Sequence, residues 1–255
     1  MTKQLPNFFT LLNLFFGCLA IVCGLQSGLV VAVRPEGQLY VDIPEKIWMV
    51  SLFIGLAALV DFLDGFLARI LGADSAMGKQ LDSLADLVSF GVAPALLVYH
   101  FLRLSWAQHP AAMELDSVLL WPAFLLPLSA AWRLARFNLA PTSLQVFTGL
   151  PVPAAGLFIA SLPLVYWNAQ QQWLLSLLLN AYFLYAMVAL LSALMVSRMA
   201  LLTLKFSSFS WHQNQPRYLL IALSVVLILL LQWLALPLIV ILYVLLSLLF
   251  KNKLK

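Results

Sequence analysis

The chain has 255 residues, 64% of them hydrophobic and only 9% charged, with a net charge of +4 and a mean hydropathy of +0.99. Soluble domains carry about 25% charged residues, so this chain cannot cover a water-facing surface, and a soluble globular fold is excluded. The expectation is an all-α integral membrane protein in a single membrane domain over residues 1–255, with a core at 1–200 and a C-terminal helical hairpin at 201–255.

A spanning helix needs roughly 20 mostly apolar residues. About eight runs qualify: 8–33, 46–69, 83–102, 117–136, 151–167, 172–196, 217–233 and 236–250. The first follows a single lysine, as a secretory signal would. It lacks a small-residue cleavage site and carries Asn7, Thr10 and Asn13, so it reads as a retained helix. The last two runs are separated by little more than Pro237 and also admit a single kinked or re-entrant element. Between the runs, 34–45 and 103–116 read as loops on one side, while 70–78, 137–150 and 197–216 read as loops on the other. Trp211 and His212 in the last of these read as a membrane-interface anchor. Cys18 and Cys23, inside the first run, read as small hydrophobes.

Charge orients the bundle. With the N-terminus inside, Lys3, Arg69, Lys79, Arg133, Arg136, Arg198, Lys205, Arg217, Lys251, Lys253 and Lys255 fall on the cytoplasmic side, and only Arg34, Lys46 and Arg103 fall outside. That bias predicts cytoplasmic termini and an even number of spans. The partner expected of the basic inner face is anionic lipid and phosphorylated substrate, not nucleic acid.

Five of the ten acidic residues, Asp61, Asp64, Asp74, Asp82 and Asp86, fall in one stretch at the inner membrane edge. On a helix, positions i and i+3 lie about 60° apart and i and i+4 about 40° apart. Asp61 and Asp64 therefore share a face at the inner end of the second span, and Asp82 and Asp86 share one at the inner end of the third. A short turn makes these helices antiparallel neighbours, so the pairs can face each other. Gly65 and Gly78 leave room for close helix approach or for a ligand against backbone. Burying four carboxylates is costly, on the order of 2.5–3.5 kcal/mol for each Asp at a helix centre and less near its ends. Shared protons would offset that, and so would divalent cations. Oxygen ligands without nearby His or Cys favour Mg²⁺, Mn²⁺ or Ca²⁺ over zinc. Two such ions suit phosphoryl transfer, and Arg69, a turn beyond Asp64, is placed to hold a phosphate oxygen. Spacing alone leaves a proton or cation relay in a transporter open.

The stretch Asp61-x2-Asp64-Gly65-x2-Ala68-Arg69-x8-Gly78-x3-Asp82-x3-Asp86 resembles the signature of the CDP-alcohol phosphatidyltransferase family, with every defined position matched. The resemblance implies that Asp61, Asp64, Asp82 and Asp86 ligate two divalent ions, Mg²⁺ or Mn²⁺ with Ca²⁺ as a further option. It implies that Asp86 is also the base acting on the acceptor hydroxyl, that Gly65, Ala68, Arg69 and Gly78 line the site for CDP-diacylglycerol, and that the protein is a homodimer. The flanking text, Leu5-Pro6-Asn7-x2-Thr10-x2-Asn13, then Asp82 to Pro94, Arg133-Leu-Ala-Arg136-Phe137-Asn138 and Phe147 to Pro153, is similar to the membrane-spanning phosphatidylserine synthases of that family. L-serine is the acceptor this implies, with glycerol 3-phosphate or an inositol-type alcohol as alternatives.

Two further sets of residues fit that reading. Asn7, Thr10 and Asn13 form a polar stripe at i, i+3 and i+6 on an apolar helix. Asn7 and Thr10 are candidates for contact with CDP-diacylglycerol, and Asn13 for the acceptor or a phosphate, against simple helix packing. Arg133 and Arg136, at the inner end of the fourth span, are candidates for the acceptor carboxylate or a phosphate, which the planar guanidinium suits, against plain topology anchors.

Overall fold

The computed structural model describes residues 5–33, 39–72, 75–108, 116–139, 148–202 and 211–250. It is a helical bundle. The first helix, α1 (Leu5–Gln26), buries Pro6, Thr10, Asn13, Gly17, Ala20 and Gly24 along one face. Its large side chains, Phe8, Leu11, Phe15, Val22 and Leu25, point outward. A water-soluble helix does the reverse. In lipid the apolar bulk faces the solvent, and small or polar residues form the helix contact.

The second helix, α2 (Trp48–Leu71), lies along α1 and buries Val50, Ile54, Ala57, Val60 and Asp64 at helical spacing. It ends at Gly72, whose φ of 56° is the left-handed conformation that stops a helix. Ser75 then caps α3 (Ala76–Asp86), its hydroxyl accepting from the Gly78 N–H at 2.9 Å. A π-helical turn, Leu87–Val92, joins α3 to α4 (Ala93–Ala107), so residues 76–107 run as one helical rod. α4 is buried nearly all round, with Ala93, Ala95, Leu97, Val98, Phe101, Leu102 and Leu104 fully enclosed. It is the centre of the bundle.

A 3₁₀ stretch, Ser117–Phe124, leads into α5 (Leu125–Leu139). Then come α6 (Val152–Asn168), α7 (Gln172–Leu178) and α8 (Ala181–Val196). The last helices are α9 (Trp211–Leu231) and α10 (Ala235–Leu249), with a 3₁₀ turn between them. α9 packs on α10, and α10 on α6, while Ile221, Leu229 and Leu230 of α9 stay exposed on the outside of the bundle.

By length and apolarity, five segments of the described residues can cross a bilayer, or six with the α7–α8 pair, which is bent by 64°. About eight were expected, and two differences explain the gap. α6 has 17 residues, at the lower limit for a span. The two C-terminal runs are one helical segment, Asn214–Leu249, broken at Gln232, where φ is 48°. Its 36 residues would reach about 54 Å if straight, well beyond the hydrocarbon thickness.

The first span is shorter than hydropathy alone predicts. α1 stops at Gln26, and the apolar run continues as a strand, β1 (Val30–Val33), paired antiparallel with β2 (Leu39–Asp42) in the register Val30↔Asp42 to Val33↔Leu39. Valine-rich text suits a strand as well as a span. The hairpin is tied to the bundle by the Tyr166 hydroxyl, which donates to Asp42 Oδ1 at 2.7 Å. The expected loops at 103–116, 137–150 and 197–216 fall partly on residues 109–115, 140–147 and 203–210, outside the described set. Both cysteines are free thiols.

Candidate active site

Asp61 and Asp64 stand on the last turns of α2, and Asp82 and Asp86 on the last turns of α3. The two pairs come together across the link from Gly72 to Ser75. One oxygen from each of Asp61, Asp64 and Asp82 lies within 4.8 Å of the others. The Asp61 carboxyl is also in side-chain contact with both Asp82 and Asp86. Asp64 is 6% exposed and Asp86 7%. Two like charges about 5 Å apart repel by roughly 3 kcal/mol even at an effective dielectric of 20, and several such pairs meet here. The cluster therefore needs protons or cations. Its donor set is hard oxygen with no His or Cys among the described residues of the cluster, which fits a divalent cation of the magnesium, manganese or calcium kind.

The polar stripe of α1 lies against this cluster. Thr10 Oγ1 is 2.8 Å from Asp64 Oδ2 and 3.1 Å from the Pro6 carbonyl; its single hydrogen goes to the nearer, charged acceptor. Asn13 Nδ2 donates to Asp86 Oδ1 at 3.4 Å. Asn7 Oδ1 would be 2.9 Å from a Cβ at Gly78, so any side chain there would have to displace the Asn7 amide. A Cβ at Gly65 would meet nothing within 4 Å among the described residues. The backbone of Ala68 and Arg69 continues α2, but their side chains are outside the described residues.

The two arginines of α5 part company. Arg133 is 7% exposed, lies in electrostatic reach of Asp86 and Tyr243, and its Nε has no partner among the described residues. Arg136 is committed elsewhere. Its two terminal nitrogens donate to the carbonyls of Val196 (2.8 Å) and Ser197 (3.0 Å), closing the end of α8. The structure thus brings Arg133 towards the aspartates and uses Arg136 as a brace.

Other residues at the site carried no role in the sequence. Lys79 donates to the Asn138 carbonyl at 3.4 Å and stands 5.3 Å from the centre of the Phe137 ring. Asn138 Nδ2 donates to Ser83 Oγ at 2.8 Å. Together they clasp α3 to the end of α5. From α10, Tyr243 donates to the Leu202 carbonyl at 3.0 Å and Ser247 accepts the Leu202 N–H at 3.1 Å. The signal for that contact was present, as a tyrosine and a serine at i and i+4 in an otherwise apolar helix.

Fold and site together define a helical membrane protein that gathers carboxylates at one end of its bundle, with hard oxygen donors of the kind that could hold a divalent cation. The CDP-alcohol phosphatidyltransferase family profile matches residues 3–192, and the chain belongs to that family. It is similar to the CDP-diacylglycerol–serine O-phosphatidyltransferase of Bacillus subtilis, 38% identical over 115 residues, which cover 45% of this chain and 60% of that protein. It is 33% identical over 159 residues to the archaetidylserine synthase of Methanothermobacter thermautotrophicus, covering 62% and 56%. To the CDP-diacylglycerol–serine O-phosphatidyltransferase of Saccharomyces cerevisiae it is 35% identical over 159 residues, covering 59% and 50%. The chain thus spans only half to three-fifths of the length of these relatives.

Proposed function

We propose that the chain transfers the phosphatidyl group of CDP-diacylglycerol to L-serine, giving phosphatidylserine and CMP. The observation that carries this is the convergence of four aspartates from α2 and α3, three of them within 4.8 Å of one another, in a member of the CDP-alcohol phosphatidyltransferase family. Serine as acceptor is supported by the names of the relatives above.

Asp61, Asp64, Asp82 and Asp86 would hold two divalent ions, Mg²⁺ or Mn²⁺, or Ca²⁺. When bound, these would neutralise the pyrophosphate and the charge developing on CMP. The chain's own residues do the rest. Arg69 holds a phosphate oxygen, and Gly65, Ala68 and Gly78, with Asn7 and Thr10 behind them, line the nucleotide side. Arg133 pairs with the serine carboxylate through its planar guanidinium. Asp86 takes the serine hydroxyl proton as the oxygen attacks the lipid-side phosphorus, and the bond from that phosphorus to CMP breaks. A carboxylate is a weak base at neutral pH, so positioning supplies much of the acceleration. The acyl chains remain in lipid throughout, and displacement is direct. Following the positive-inside bias, the site and both termini face the cytoplasm of a cell or inner membrane, and the protein works as a homodimer.

The test is CMP release by the purified protein in detergent with CDP-diacylglycerol and Mg²⁺ or Mn²⁺. Serine, glycerol 3-phosphate, inositol and inositol phosphate are supplied in turn. Release that depends on serine and is lost with chelator supports the reading. Release with another acceptor only overturns serine and keeps the aspartate chemistry.

A further inference from the structure

Asn13 presents a puzzle as a packing residue. It is fully buried on α1. Among the described residues its one side-chain hydrogen bond is the long contact from Nδ2 to Asp86 Oδ1 at 3.4 Å, and its Oδ1 has no partner. An orphaned buried carbonyl costs about 1–3 kcal/mol, more than a stretched neutral donor returns. An apolar side chain in this place would serve stability better. The cost is tolerated where geometry serves something else.

The same residue is also held through its backbone. The Asn13 carbonyl accepts from Ser89 Oγ at 3.1 Å, and Ser89 sits in the π-helical turn immediately after Asp86. That turn is defined by the Ala93 N–H reaching back to the Val88 carbonyl, and such single π turns are frequent at functional sites. α1 reaches it only because residue 17 is glycine. A Cβ there would overlap the Ser89 hydroxyl and lie 2.9 Å from Ser89 Cα. On the far side Gly156 of α6 closes in just as tightly, since a Cβ would stand 2.8 Å from Phe90 Cβ. The π turn is gripped between two helices, and Asn13 is fastened by its carbonyl to Ser89 within the turn and by its amide to Asp86 just before it.

We propose that Asn13 is a positioning residue for Asp86, holding one carboxylate oxygen so that the other is presented to the acceptor hydroxyl. This rests on the functional reading above. Asn13 does not touch the acceptor. Its amide orients the base, and the gripped π turn keeps α1 and α3 in the register that makes the contact.

The experiment compares the unsubstituted protein with Asn13→Ala, Asp86→Asn and the double variant, all purified in detergent. CMP release is read as kcat and as KM for serine and for CDP-diacylglycerol. Mn²⁺ affinity is read from the resonance signal of free Mn²⁺. The expected result for Asn13→Ala is a thermal midpoint that does not fall, a kcat lowered on the order of 10- to 100-fold, both KM values held within about twofold, and weaker Mn²⁺ binding. In the Asp86→Asn background, Asn13→Ala brings no further loss of Mn²⁺ affinity, because residues acting through one another are non-additive. A raised KM for serine with kcat retained would overturn the proposal by making Asn13 an acceptor contact. Unchanged kcat and Mn²⁺ affinity would overturn it as well, as would an equal loss of affinity in both backgrounds. Should Asn13→Ala fail to fold, Asn13→Ser takes its place, with the same readings deciding. If the unsubstituted protein releases no CMP with serine, the functional reading falls, and the Mn²⁺ titrations still decide the role of Asn13.

Discussion

Thr10 and Asp64, 54 positions apart in the chain, meet with the threonine hydroxyl 2.8 Å from a carboxylate oxygen. Both are buried, and this bond ties α1 to the aspartate cluster. A hydrogen bond to a charged group contributes about 1.5–3 kcal/mol. Thr10→Val keeps the shape and removes the donor. The expected outcome is a CMP-release rate lowered about tenfold or more, with Thr10→Ser keeping most of it. Equal rates for threonine and valine would show that Asp64 needs no such donor.

Crowding in the cluster makes a prediction of opposite sign for stability and activity. Asp61→Asn or Asp82→Asn removes one charge from a set whose oxygens lie within 4.8 Å. Without divalent ions, each variant should melt higher than the parent, because repulsion of roughly 3 kcal/mol per pair is relieved. With divalent ions and substrates, each should lose activity on the order of 100-fold or more. Thermal melts in chelator alongside CMP-release assays check both halves. A variant that melts lower in chelator would mean that shared protons already neutralise the cluster.

Divalent ions themselves should stabilise the parent. A ligand that binds only the folded protein adds RT ln(1 + [L]/Kd), about 2.7 kcal/mol at a hundredfold excess over Kd. Mn²⁺ or Mg²⁺ should raise the melting midpoint in a dose-dependent way, and the rise should disappear in Asp61→Asn. A midpoint indifferent to both ions would remove the metal from the reading.

The aspartate geometry was legible because a charged residue in an apolar run stands out, and its spacing translates directly into a helix face. Asn7, Thr10 and Asn13 were legible as a stripe for the same reason, yet their partners were not. Sequence spacing shows that a polar face needs something to meet, and only the packing shows that Thr10 meets Asp64 and Asn13 meets Asp86. The strand at Val30–Val33 was hidden because hydropathy does not separate valine-rich strand from span. The π turn after Asp86 left no trace either, since one extra residue in a helical turn changes no composition or period that a window can detect. Arg133 and Arg136 looked alike at i and i+3. What divides them is the end of α8, some 60 residues away, whose carbonyls take one and not the other.

That division yields the most direct test of the acceptor site. Arg136→Ala strips donors from the Val196 and Ser197 carbonyls. The expected result is a stability loss of about 1–3 kcal/mol, with KM for serine unchanged in the protein that remains folded. Arg133→Lys keeps the charge and loses the planar fork that suits a carboxylate. It should raise KM for serine about tenfold while leaving KM for CDP-diacylglycerol alone. Steady-state kinetics at saturating CDP-diacylglycerol separate the two, with thermal melts run in parallel. If Arg136→Ala raises KM for serine and Arg133→Lys does not, the roles are reversed. The brace at α8 would then have to open for the acceptor to bind.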